Sequence, residues 1–105
     1  MTQAEIKVED ISSWFRSKEK TASEYGITLA EITERKAYVY AARADFDTST
    51  KIARISGWVS GEFDFEILDR DSSKIVYFRH ESISAISDFA LERAFGEFIE
   101  RLQQP

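Results

Sequence analysis

The segment Lys51–Asp69 reads KIARISGWVSGEFDFEILD, and it decides the fold. Apolar and polar residues alternate on both sides of a short loop at residues 59–61, which is typical of β-strands with one buried and one solvated face. A three-residue loop between antiparallel strands needs a positive φ at one position, and glycine adopts this conformation without steric cost. The segment therefore predicts a hairpin with strands at Lys51–Trp58 and Glu62–Leu68, and with Gly61 at that position.

The register of this hairpin follows from the faces on which its side chains fall. With the three-residue loop, every apolar pair shares one face: Gly57 with Phe63, Ile55 with Phe65, and Ala53 with Ile67. The opposite face then carries Trp58 with Glu62, Ser56 with Asp64, and Arg54 with Glu66. Because a slip of one residue would move each side chain to the other face, we expect this register.

Further strands are expected on both sides of the hairpin. Alternating residues indicate a short first strand within residues 27–32, a second at Lys36–Asp45 and a fifth at Lys74–His80. The connections are short, so neighbouring strands should pair antiparallel as a meander.

A turn at Arg70–Ser73 sets the expected register of the fifth strand. Four residues in this turn would pair Ile67 with Val76 and Phe65 with Phe78 on the inner face. The outer face would then set Asp64 opposite Arg79 and Glu66 opposite Tyr77.

Two helices are expected to flank the strands. Helical spacing of apolar residues places one at about residues 3–25, with a capping box at Thr2–Glu5 and a Schellman motif at Gly26. The other spans residues 84–102 and is expected to be capped by Ser84 or Ser87. Each helix has one apolar stripe, so both helices should cover the apolar face of the sheet.

The expected fold class is α+β. It consists of an N-terminal helix, a four- to five-stranded antiparallel meander sheet and a C-terminal helix, with both helices on one sheet face. A chain of 105 residues is expected to form a single domain over residues 1–105.

Composition argues against several classes of function. The chain has 19 acidic and 14 basic side chains and a net charge of −5, which disfavours a nucleic-acid binder because such a protein needs a basic face. The chain has no cysteine and one histidine, which excludes thiol catalysis and Cys/His zinc sites. It has no apolar run of membrane-spanning length and no basic-then-apolar leader. We therefore expect a cytoplasmic protein without a metal, a cofactor or a membrane partner.

The outer face of the sheet is the candidate partner-binding surface. Residues 62–71 carry five carboxylates against Arg70, which accounts for most of the net charge. The expected partner-binding residues are Trp58, Glu62, Asp64, Glu66, Tyr77 and Arg79. Aromatic side chains anchor protein interfaces and opposite charges steer the encounter, so this pattern indicates docking of a basic protein. An ordinary solvated sheet face shows the same alternation and is the alternative interpretation.

Enzymatic sites are only weakly indicated. Glu62, Asp64 and Glu66 would lie about 7 Å apart along one strand face, a spacing that could serve hydrolysis or bind a hard cation. His80 and Glu81 could form an acid–base pair. The four glycines form none of the motifs that bind nucleotide phosphates. A solvated acidic surface and a structural histidine are the commoner interpretations, so no catalytic residue is predicted.

The central hairpin also carries a recognisable motif, formed by Trp58, Ser60, Gly61, Glu62 and Glu66. It resembles the core motif of the TriTu-type immunity proteins of bacterial polymorphic toxin systems. The segment Tyr77–Glu81 is similar to the aromatic-x-His-Glu segment that precedes the last helix of that family. The resemblance runs from Lys51 to Leu102. It implies a cytosolic antidote that binds a cognate toxin, and it supplies no catalytic residues that could be assigned to this sequence.

These observations lead to three functional hypotheses. The leading one is a non-enzymatic immunity protein, a monomer or weak dimer, whose acidic face with Trp58 and Tyr77 occludes the functional surface of a basic toxin. The alternative is an acidic cytosolic secretion or effector chaperone, which should expose a larger apolar patch and form a stable homodimer. The third is an enzyme built on His80, Glu81 and the outer carboxylates, which would require a pocket.

Overall fold

A computed structural model describes residues 6–105 of the chain. Its elements in chain order are α1 (Val8–Ser17), α2 (Glu19–Glu24), β1 (Thr28–Ala37), β2 (Val39–Asp47), β3 (Lys51–Trp58), β4 (Glu62–Asp69), β5 (Ile75–Ser82) and α3 (Phe89–Leu102). The five strands form one open sheet in the order β1-β2-β3-β4-β5, and every neighbouring pair is antiparallel. The predicted α+β fold class and meander topology are confirmed.

The helices form one layer on the inner face of the sheet. α1 packs against β1, β2 and β3, whereas α3 packs against β4 and β5. The ring of Trp14 in α1 lies 5.8 Å from the ring of Phe95 in α3 and 6.1 Å from the ring of Phe63 in β4, measured between centroids. Glu92 of α3 ties the helices together, because it accepts hydrogen bonds from Trp14 Nε1 at 3.1 Å and from Lys18 Nζ at 2.7 Å. Both helices therefore lie on one sheet face.

The N-terminal helical segment is divided, unlike the single helix expected at residues 3–25. α1 begins at Val8, and the expected capping box at Thr2–Glu5 lies outside the described residues. Lys18 separates α1 from α2. Its N–H donates to the carbonyl of Phe15 at 3.0 Å, which tightens the last turn of α1.

The end of α2 has the predicted Schellman motif. The N–H of Ile27 donates to the carbonyl of Ala22 at 3.0 Å, and the N–H of Gly26 donates to that of Ser23 at 3.1 Å. Gly26 has a φ of 74°, and Ile27 is buried in the core.

The β3–β4 hairpin has the predicted register. Ile55 lies opposite Phe65 and Ala53 lies opposite Ile67, and all four side chains are buried. Gly61 ends the loop with a φ of 96°, and a Cβ atom there would collide with the backbone carbonyl of Ile83.

The β4–β5 register agrees with the prediction only next to the turn. Leu68 lies opposite Ile75, as the four-residue turn requires. A β-bulge between Ile67 and Leu68 then shifts the pairing by one residue, so that Ile67 lies opposite Tyr77 rather than Val76.

The bulge exchanges the two faces of β5. Asp64 lies opposite His80 instead of Arg79, and Glu66 lies opposite Phe78 instead of Tyr77. The prediction that Tyr77 and Arg79 lie on the outer face is therefore wrong. Both side chains instead face α3, where each bonds Glu97. An amphipathic side chain can bury its apolar stem in this way while its polar end bonds a partner.

The β1–β2 hairpin is longer than expected. β1 continues to Ala37, and the chain reverses at Tyr38 rather than between residues 32 and 36. Tyr38 has a φ of 61° and its side chain is 99% exposed, so the hairpin tip is a protruding tyrosine in the left-handed region.

The C-terminal helix begins later than expected. Asp88, rather than Ser84 or Ser87, is its N-cap, and the Asp88 side chain accepts the N–H of Ala90 at 2.9 Å. The predicted apolar stripe is buried as expected and comprises Leu91, Phe95, Phe98, Ile99 and Leu102.

Candidate functional site

The outer face of the sheet, on the side away from the helices, carries a row of carboxylates. Glu62, Asp64 and Glu66 alternate along β4 with three fully buried residues. We call the three acidic residues the acidic stripe. Because successive side chains of a strand point to opposite faces, burial of Phe63 and Phe65 directs the acidic stripe to solvent. The sequence thus predicts the outward position of these three carboxylates correctly.

Among the described residues, His80 is the one cationic side chain within 4.0 Å of the acidic stripe. Its Nδ1 lies 2.6 Å from Asp64 Oδ1, and its Nε2 lies 3.9 Å from Glu62 Oε1. The hydrogen bond with Asp64 raises the pKa of His80 above its ordinary value of 6.5. His80 therefore carries more positive charge near neutral pH than a free histidine would.

Arg54 lies opposite Glu66 in the β3–β4 pair, but its side chain is directed toward β2 and away from Glu66. Its Nε donates to Asp45 Oδ1 at 2.8 Å, across the β2–β3 pair. Within residues 6–105, no lysine or arginine lies within 4.0 Å of a carboxylate of the acidic stripe. The acidic stripe therefore has no lysine or arginine partner in the described part of the chain and stays negative overall, with His80 beside Asp64.

Trp58 stands at the end of β3 between two depressions of the outer face. The first has a volume of about 260 Å³ and is lined by Val39, Trp58, Ser60, Glu62, Asp64 and His80. The second has a volume of about 460 Å³ and is lined by Thr33, Glu34, Arg35, Val39, Ala41, Ala42, Arg43, Ser56 and Trp58. The Glu34 carboxylate is directed to the helical side, where it accepts a hydrogen bond from Ser12 Oγ at 2.6 Å. We call the first the acidic depression and the second the arginine depression. The indole ring is thus flanked by opposite charges.

Tyr77 and Arg79 do not join this surface. Tyr77 donates a hydrogen bond to Glu97 Oε1 at 3.0 Å. Burial, and to a smaller extent this hydrogen bond, raises the pKa of Tyr77 to about 12. Arg79 bonds Glu97 as well, and its Nε donates to Glu81 Oε1 at 2.8 Å. The hydrogen bonds of both side chains are with α3 and with β5 itself.

The bulge brings two other residues of β5 to the outer face. Phe78, whose side chain is 55% exposed, and His80 lie opposite Glu66 and Asp64. Sequence reasoning missed both as surface residues because Tyr77-Phe78-Arg79-His80 places an aromatic residue and a cation on either face in either register. The face therefore still combines carboxylates with aromatic rings, but with Phe78 in place of Tyr77.

The proposed catalytic arrangements receive no support from the geometry. His80 points to the outer face, whereas Glu81 lies on the inner face paired with Arg79, so the two do not form an acid–base pair. No cluster of three potential metal ligands occurs within residues 6–105. None of the described helices is long and apolar enough to span a membrane.

Comparison with known protein families identifies the family of the chain. The family model described as immunity protein TriTu matches residues 9–101, and so covers most of the chain and every element of the sheet. No curated protein sequence matches the chain. Two motif positions are explained by the fold, since Gly61 supplies the positive φ of the hairpin loop and Glu62 begins the acidic stripe. With a family match of this extent, the chain belongs to the TriTu family of immunity proteins.

Proposed function

We propose that this immunity protein binds a cognate toxin in the cytoplasm and neutralises it by occlusion, without catalysis of its own. The toxin-binding surface in this proposal is the outer face around Trp58 and the acidic stripe. The observation that carries the proposal is the open row of Glu62, Asp64 and Glu66 beside an aromatic ring. Membership of an immunity protein family supports the antidote role.

The chemistry of this surface suits a basic partner. Alternate residues of a strand are about 7 Å apart, so the acidic stripe presents three carboxylates in a line about 14 Å long. A toxin that acts on nucleic acid is basic where it holds phosphate, and a line of carboxylates can take the place of that phosphate. Such charge complementarity speeds the encounter and sets the orientation of the partners, while a buried aromatic ring contributes affinity.

The phosphate-mimic proposal predicts how charge reversal acts. Glu62→Lys, Asp64→Lys and Glu66→Lys together should slow association with a basic toxin and reduce the salt dependence of its rate. The test partner is the cognate toxin domain, to be sought at the C-terminus of the protein encoded directly upstream. Its association with the chain is measured by stopped flow at several salt concentrations. A triple reversal at Glu19, Glu24 and Glu100, on the helical side, is the matched control, since these residues are exposed and lie off the outer face.

Two outcomes separate the parts of this proposal. If the wild-type chain does not protect growing cells against that toxin domain, the antidote role is contradicted for this pair. Protection and binding that survive the reversal of the acidic stripe would contradict the proposed surface and leave the antidote role intact.

One observation favours the chaperone alternative. Ile75, Val76 and Phe78 are exposed on β5, which is an edge strand, and an exposed apolar edge can pair with another chain. A chaperone of this kind should be a stable homodimer, whereas an immunity protein of the proposed type is a monomer or weak dimer. Sedimentation of the purified chain across a range of concentrations distinguishes the two.

A further inference from the structure

The arginine depression is a feature that the acidic stripe does not explain. Its outer floor is formed by Ala41 and Ser56, two small residues on adjacent strands, and Trp58 forms one wall. Small side chains between larger ones leave a concave site of about 460 Å³ on the outer face of the sheet. This volume is large enough for a side chain of a partner protein.

Two guanidinium groups border this depression. Arg35 lies opposite Ala41, and Arg43 is two residues further along β2, so the two arginines are diagonal neighbours on β1 and β2. Diagonal neighbours of an antiparallel pair are about 7–8 Å apart, and long side chains bridge that distance. One incoming carboxylate can therefore be reached by both guanidinium groups.

Neither arginine is neutralised within the described part of the chain. No carboxylate of residues 6–105 lies within 4.0 Å of Arg35 or Arg43, whereas Arg54 pairs with one carboxylate and Arg79 pairs with two. Both residues are exposed. The donors of a guanidinium group match the geometry of a carboxylate, and an apolar wall beside them strengthens the interaction by excluding water.

We infer that the arginine depression is a second docking point on the outer face, and that it receives an acidic side chain of the toxin. This inference rests on the proposed function and deepens it. The toxin surface is then bipolar, with a basic group against the acidic stripe, an apolar group over Trp58 and a carboxylate between Arg35 and Arg43.

A polyanion is a poorer fit to this depression than a single carboxylate. The acidic stripe on β4 is two strand spacings from Arg43 on β2, which is about 9.5 Å. This separation is close to the screening length of about 8 Å in physiological salt, so a nucleic-acid backbone across the sheet would be repelled by the stripe. A single carboxylate carries one negative charge, so the acidic stripe repels it less than it repels a row of phosphates.

The test compares two double charge reversals against the same toxin domain. Arg35→Glu/Arg43→Glu removes the proposed site, and Lys20→Glu/Arg93→Glu changes the net charge equally on exposed helical positions. We expect the first variant to bind the toxin domain at least about tenfold more weakly, which is the effect of losing about 1.4 kcal/mol. The control should bind like the wild type. Ala41→Tyr, which fills the depression without changing charge, should also weaken binding.

Each outcome bears on a different part of the inference. If the wild type does not bind the toxin domain, the proposed function fails for this partner. If the wild type binds and the arginine reversal binds equally well, the bipolar surface is wrong and the acidic face stands alone. Binding of wild type to double-stranded DNA that is lost in the arginine reversal would overturn the carboxylate in favour of phosphate.

Discussion

The Nδ1 atom of His80 lies 2.6 Å from Oδ1 of Asp64, across the β4–β5 pair on the outer face. This hydrogen bond, more than the nearby charges of Glu62 and Glu81, raises the pKa of His80 above 6.5. A raised folded-state pKa means that the interaction stabilises the fold fully below the unfolded pKa and that this stabilisation is lost as the pH rises through the folded pKa.

Asp64→Asn should therefore lower the pKa of His80 toward its ordinary value and remove this part of the pH dependence of unfolding. Because His80 is the one histidine of the chain, its ring protons give an unambiguous signal in an NMR titration. Glu62→Gln is the control and should act less, since Glu62 lies 3.9 Å away. An unchanged His80 titration in Asp64→Asn would contradict the pairing.

Gly57 allows the close approach of α1 to the sheet. A Cβ atom at this position would lie 2.5 Å from Cε2 of Phe63 and 2.9 Å from Cγ2 of Ile11, and both of those side chains are fully buried. Gly57→Ala should therefore lower the free energy of unfolding by about 1–3 kcal/mol through overpacking. Urea unfolding followed by circular dichroism measures this loss, and a midpoint at or above that of the wild type would show that the layer can expand.

Gly96, unlike Gly57, has free space where a Cβ atom would lie. It lies inside α3, and a Cβ atom there would meet no heavy atom within 4 Å. Glycine in a helix interior is less favourable than alanine by about 1 kcal/mol, so Gly96→Ala should raise the free energy of unfolding by about that amount. The same urea titration measures it, and a destabilised variant would indicate a contact that α3 makes only through Gly96.

Tyr38 stores backbone strain at the tip of the β1–β2 hairpin. Its φ of 61° costs a bulky residue about 1–2 kcal/mol, and its side chain buries almost nothing in return. Tyr38→Gly should therefore raise the thermal midpoint of unfolding, because glycine adopts this conformation freely. Tyr40→Gly is the matched control within β2 and should lower the midpoint. A lower midpoint for Tyr38→Gly would mean that the tyrosine ring stabilises the hairpin.

The central hairpin was predictable because two independent constraints agree there. Gly61 fixes the loop, and alternating phenylalanine and acidic residues fix the buried face of β4. The position of Tyr77 was not predictable in the same way. A bulge adds one unpaired residue without a sequence signal, and either face of β5 offers an aromatic residue.

The arginine depression was missed for a related reason. The reversal at Tyr38 uses a residue that rarely adopts a positive φ, so the polar segment before Lys36 was the better candidate for a turn. With the turn placed there, Arg35 belongs to a loop and cannot be paired with Ala41. The charge of the β1–β2 side of the outer face therefore depends on a turn that the sequence does not indicate.

Trp58 is the point at which the acidic and arginine depressions meet, so its side chain should contribute most to toxin affinity. Trp58→Ala should weaken binding of the toxin domain by at least about 2 kcal/mol, or about 30-fold, as expected for an aromatic residue at the centre of an interface. Phe89→Ala is the matched control, because Phe89 is 69% exposed and lies on α3, on the helical side of the molecule. Titration calorimetry measures both affinities. Equal losses would point to a general effect of removing exposed rings, and an unchanged affinity for Trp58→Ala would move the toxin-binding surface away from this face.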